Sequence, residues 1–152
     1  MARVLAVAAL VLWSSALQAA NHIIISNDTF GRLSLDNQSY IWSKASAYVR
    51  DLRKSGEKVL WVDGGNHLGP EPVAALFKGE RQQGLLSSVD FDVRIPGPFD
   101  FMWGRSLLET QNDGYLASNI YQGEAFWLSQ RNRRYVDYGR FRIVSVVNPD
   151  TP

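Results

Sequence analysis

The sequence predicts an α/β fold, and three observations carry that expectation. Short apolar runs alternate with longer amphipathic stretches, turn residues separate the two, and the glycine- and proline-rich loops follow the apolar runs. "HIIIS" (22 to 26) reads as a first strand. "SYIWSKASAYVRDLRKSG" (39 to 56) places Ile41, Trp42, Ala45, Tyr48, Val49 and Leu52 at helical spacing, with Gly56 where a C-terminal cap belongs. "KVLWV" (58 to 62) reads as a second strand running into "DGGNHLGPEP", a loop of the kind in which α/β proteins place their chemistry. "EPVAALFKG" (71 to 79) predicts a short helix and "FDVRI" (91 to 95) a third strand. "PGP" (96 to 98) breaks that strand, and "WGRSLLETQ" (103 to 111) reads as another helix. "YLASNI" (115 to 120) reads as a short strand, and "RRYVDYGRFRIVSVV" (133 to 147) as a β-hairpin turning at Tyr138-Gly139.

With 152 residues the chain has room for one domain with a real core. Residues 1–20 stand apart from that core. Arg3 precedes the apolar run "VLAVAALVLW", and "SSALQAA" follows it, which is the charge, hydrophobic stretch and cleavage region of a secretory signal peptide ending near Ala19 or Ala20. The rival, a retained anchor, needs about 20 apolar residues to span a bilayer, and this run falls well short. The expected organisation is therefore a signal over 1–20 and one domain over 21–152, with a periplasmic or secreted location and no stable membrane span. The chain has no cysteine, so disulfides, thiolate metal sites and cysteine nucleophiles are excluded. A net charge of +1 gives no reason to expect nucleic acid as a partner.

Several loops stand at strand ends: "NDTFGRL" (27 to 33), "DGGN" (63 to 66) and "GPFDFMWG" (97 to 104), with "ASNI" (117 to 120) further on. In order and spacing they resemble the metallo-dependent phosphoesterase superfamily, in particular its exported 5′-nucleotidase branch. There the stretches run Asn-Asp-x-His-Gly-Arg-Leu, Asp-x-Gly-Asp, Gly-Asn-His-Glu-Phe-Asp and Ala-Asn-Ile. The resemblance covers nearly the whole of 21–152 and extends to "RIVSVVNPDTP" (142 to 152). It implies the first half of a layered α/β/β/α architecture, a mixed sheet with helices on one face, and it implies chemistry by two divalent metal ions that activate water against a phosphate ester.

Carried over position by position, the metal motifs are degenerate. Asp28 matches a ligand, but the histidine two places on is Phe30. The bridging aspartate falls on Asn66, a neutral amide where two cations demand a shared negative charge. In the third motif, an ungapped match puts Pro98 and Phe99 at the asparagine ligand and the catalytic histidine. A two-residue deletion instead matches "FDF" (99 to 101) to the family's Phe-Asp and leaves those two residues out. "GGNHLG" (64 to 69) holds a literal Gly-Asn-His, but it lies where the family places its bridging aspartate. Asp28 and Asn66 are thus residual metal positions, His67 and Asn119 mark a possible ligand loop, and neither a catalytic residue nor a cofactor is expected.

Plainer roles stand beside these. Asp28 before Thr-Gly suits a turn-capping carboxylate, and His67 a solvated loop histidine. The arginines of 131 to 142 suit a solvated hairpin, with a phosphate or nucleotide base as the alternative ligand. Trp61, Trp103 and Trp127 suit core or interface positions. The leading expectation is an exported, catalytically inactive relative of the 5′-nucleotidases that binds a nucleotide, a small anion or a protein partner. The alternatives are a weak or split phosphoester hydrolase completed by a second chain, and a truncated product without function. A chain carrying only the first half of the architecture leaves one apolar sheet face bare, which predicts self-association or a bound partner.

Overall fold

The computed structural model describes residues 22–34, 40–109, 114–122, 125–126 and 132–147. The segment 1–20 that reads as a signal, Trp127, Arg131 and the "NPDTP" tail lie outside the described residues.

The structure is mixed α/β. A three-stranded sheet is ordered β1 (His22–Ser26), β2 (Val59–Asp63), β3 (Val93–Arg94), and both of its pairings are parallel. The antiparallel pairs lie outside it, in two ribbons, β4–β5 (Tyr121–Gln122 with Ala125–Phe126) and β6–β7 (Val136–Tyr138 with Phe141–Ile143). The expected mixed sheet is in this way divided between a parallel sheet and separate ribbons. Helix α1 (Ile41–Lys54) buries Trp42 and Val49 and exposes Tyr48. It stops in a Schellman motif. Gly56 takes φ of 88°, Glu57 N donates to the Leu52 carbonyl and Gly56 N to that of Arg53, so two carbonyls of the last turn are satisfied.

The short helix expected over 71 to 79 is present, and a second helix that the sequence did not predict follows it. α2 (Pro72–Leu76) starts on a proline, and the chain reverses at Lys78-Gly79 before α3 (Glu80–Leu86). The polar string "ERQQG" hid α3, yet Gln82 and Gln83 are buried, donating to the carbonyls of Gly31 and Leu107. A 3₁₀ turn (Pro98–Phe101) and α4 (Arg105–Glu109) follow β3. The strand expected over 115 to 120 is instead an isolated bridge followed by a turn at Ser118-Asn119: Leu116 N donates to the Arg94 carbonyl, and Leu116 bridges Arg133.

Central strand β2 is lined on both faces. Val59 and Trp61 pack with Trp42, Val49, Leu68 and Leu86 on the helix side. Leu60 joins Val93 and Leu116 on the other side, under Val136, Tyr138 and Ile143 of the β6–β7 ribbon. The expectation of a bare second face is corrected to this extent. The hairpin turns at Gly139, φ 58°, the glycine-first geometry that matches strand twist, and folds back over β2 and β3. Edge strand β1 keeps Ile23 and Ile25 exposed. Among the described residues, no helix is long and apolar enough to cross a membrane.

Burial pushes the Tyr115 phenol up to about 12, partly offset by the Arg94 guanidinium over its ring. A folded-state value raised above the unfolded value of about 10 contributes stability fully present below pH ~10 and lost as pH rises towards ~12. Urea unfolding between pH 10 and 12 should therefore show a loss about 2 kcal/mol smaller in Tyr115→Phe than in the unmodified chain.

Candidate functional site

Three loops meet at the carboxyl ends of β1, β2 and β3, and backbone bonds hold the first two together. Asp28 N donates to the Gly65 carbonyl and Phe30 N to that of Asn66. These pairings fix Asp28, Phe30 and Asn66 at φ of 57°, 52° and 63°, left-handed values that residues with a side chain adopt at a cost.

The second and third loops are joined by Asp100. One of its carboxylate oxygens accepts from the backbone N–H groups of Asn66 (2.8 Å) and Gly97 (2.9 Å), and the other from those of His67 (2.7 Å) and Leu68 (3.0 Å). Asp100 is buried, and four charge-assisted bonds let it replace water as the partner of four loop amides. The approach is close enough to demand glycine: a Cβ on Gly65 would overlap the backbone of Ile95 and Gly97, and one on Gly97 would overlap Asn66.

The Asn66 side chain points to the surface end of this junction. Its Nδ2 donates to Asp28 Oδ1 (2.8 Å), and its Oδ1 accepts from Phe99 N (3.0 Å). Asn27 Nδ2 donates to Asp28 Oδ2 (2.9 Å). The Asp28 carboxylate is thus held by two amide side chains, one of them across the loops. The Phe30 and Phe99 rings meet edge to face with centroids 5.3 Å apart, a favourable aromatic geometry.

His67 turns the other way. The sequence expectation of a solvated loop histidine, open to a ligand, is corrected: His67 is 2% exposed. Nε2 bonds Asp63 Oδ1, Nδ1 bonds the Thr29 hydroxyl at 2.7 Å, and the Trp42 ring packs against the imidazole at 5.0 Å. Asp63 is itself buried, with the Arg94 guanidinium 3.6 Å from its other oxygen, and Arg94 lies over the Tyr115 ring. Buried charges persist where such partners satisfy them. Asp63, His67, Thr29 and Arg94 therefore form an internal polar strut beneath the loops.

Asn119 is elsewhere. Its Oδ1 accepts from Val147 N and its Nδ2 donates to the Val147 carbonyl, so the amide acts as a strand partner for the last described segment. The structure accordingly brings Asp28 and Asn66 together and gives His67 and Asn119 other work. The residue that sequence reasoning undervalued is Asp100. Its trace was the "FDF" match, which places an aspartate at the family's Phe-Asp. Arg140 and Arg142 of the hairpin are exposed, as expected, and Asp137 holds Arg142 through paired bonds of 2.7 and 3.0 Å.

The chain matches no model of a known protein family, and no curated protein matches it.

Asp100→Ala should lower the free energy of urea unfolding by about 3 kcal/mol or more, because buried N–H groups lose their acceptor. Asp28→Asn, at an exposed position where asparagine tolerates the left-handed backbone, should cost less than about 1 kcal/mol. Asn66→Asp sets a second carboxylate against Asp28 and should cost about 1 kcal/mol at neutral pH.

Proposed function

We propose that this chain is a degenerate, exported relative of the 5′-nucleotidase branch of the metallo-dependent phosphoesterases, which has lost hydrolysis and acts by binding a small ligand or a protein partner. The observation that carries the proposal is the bond from Asn66 Nδ2 to Asp28 Oδ1. At the two positions where the resemblance expects a terminal and a bridging metal ligand, an N–H donor faces a carboxylate. The amide supplies the donor that a cation would replace, and it brings no negative charge to share between two ions.

The neighbouring residues support the same reading. Phe30 and, in the ungapped match, Phe99 stand where the family has imidazoles, and their rings pack on each other. The single nearby imidazole, that of His67, has both nitrogens engaged below the loops. Among the described residues, no three His, Cys, Asp or Glu side chains converge on a point that would hold an ion. The pair of divalent ions that the resemblance implies does not fit these residues, and no hydrolytic step is derived through it. A parallel sheet with helices on one face and a ribbon on the other is compatible with the first half of the layered phosphoesterase architecture. The amino-terminal "VLAVAALVLW" run supports export to the periplasm or beyond.

Hydrolysis assays with nucleoside monophosphates and with bis(p-nitrophenyl) phosphate, in manganese or zinc, test the proposal. Turnover should stay at background for the unmodified chain and also for Phe30→His/Asn66→Asp, because Pro98 and Phe99 still occupy the third loop. Metal-dependent turnover by the unmodified chain, abolished in Asp28→Ala, would contradict it.

A further inference from the structure

We propose that the outer edge of β1 pairs with the same strand of a second copy of this chain, antiparallel about Ile24, to form a weak two-fold dimer. The proposal goes beyond the loss of hydrolysis and does not depend on it.

The ladder with β2 fixes which backbone groups are available. His22 N donates to the Lys58 carbonyl and the Ser26 carbonyl accepts from Gly64 N, so the even-numbered residues of β1 give their groups to β2. In a parallel ladder the alternate residues, Ile23 and Ile25, direct theirs to the other edge, where no strand pairs among the described residues. The same two residues carry exposed side chains, 56% for Ile23 and 69% for Ile25. Edge strands are ordinarily protected by lysine, proline or a bulge. "HIIIS" contains neither residue, and its register with β2 is unbroken.

The strand is also complementary to itself. An antiparallel two-fold at Ile24 sets Ile23 of one copy opposite Ile25 of the other, as hydrogen-bonded pairs that satisfy both N–H and both C=O groups on each strand. It brings the exposed isoleucines together on one face. No acidic or basic side chain meets its own copy at the axis, since His22 at the strand end faces Glu57 at 3.6 Å. One short strand pair buries much less than the ~1,200 Å² of a standard interface, so the dimer should depend on concentration.

Sedimentation of the purified full chain from low micromolar to several hundred micromolar tests this. The mass should rise from monomer towards dimer. Ile23→Lys/Ile25→Lys should remain monomeric throughout with an unchanged circular dichroism spectrum, and Val146→Lys, also at an exposed valine (84%), should behave as the unmodified chain. In this cysteine-free chain, Ile23→Cys/Ile25→Cys should cross-link as a dimer under mild oxidation. Hydrogen-bonded antiparallel pairs have Cα atoms about 5.5 Å apart, within disulfide reach. The cross-link decides the matter if the lysine variant does not fold. A monomer at all concentrations, a dimer that persists in the folded lysine variant, a monomeric Val146→Lys, or failure to cross-link would each overturn the proposal.

Discussion

The carboxylate of Asp100 is the constraint on which the loop region depends. Two parallel strands end side by side at Asp63 and Arg94, and the loops leaving them carry backbone N–H groups that no sheet partner can satisfy. Asp100 accepts four of them, from Asn66, His67, Leu68 and Gly97, and so determines how closely the loops approach. The glycines at 65 and 97 follow from that closeness. With the two loops fixed, the backbone of Asn66 is in place to accept from Phe30 N, and the first loop is positioned in turn.

Hydrogen bonds of the chain's own groups join these loops. A dinuclear site is held against carboxylate repulsion by the charge of its ions. On the proposed reading a neutral amide stands where such a site has its bridging carboxylate, and Asn66 offers Asp28 a donor and Phe99 N an acceptor through one side chain. The left-handed backbone at Asp28, Phe30 and Asn66 is the residual strain of such loops, sustained by the bonds between them. Below, the buried pairing of Asp63 with His67 and Arg94 takes up the polar groups that the strand ends deliver to the interior. The edge-to-face contact of Phe30 and Phe99 adds an apolar contact between the first and third loops.

Much of the fold was legible because its causes are local. The apolar runs of β1 and β2, the helical spacing from Trp42 to Leu52 with Gly56 beyond it, and the hairpin, whose turn falls one residue later than expected at Gly139-Arg140, all follow from period and turn chemistry. Helix α3 was not legible, because its buried side chains are glutamines whose partners lie on distant segments. The His67 expectation failed for a similar reason: glycine and proline around it indicate a loop, but side-chain direction is set by Thr29 and Asp63, and the one-dimensional pattern carries no trace of that. Asp28 and Asn66 stand on loops that strand order brings together, and Asn66 Nδ2 donates to Asp28 Oδ1. The bond between them depends on the amide orientation that Asp100 and Phe99 impose from the third loop.

On the proposed reading, hydrogen bonds of the chain itself rather than bound ions hold these loops. Thermal unfolding of the purified chain, first with a chelator and then with millimolar manganese or zinc, tests it most directly, since an ion that binds the folded state alone must raise its stability by linkage. The account predicts the same unfolding midpoint in both conditions, for the unmodified chain and for Asp28→Asn alike. A midpoint several degrees higher with metal, lost in Asp28→Asn, would contradict it.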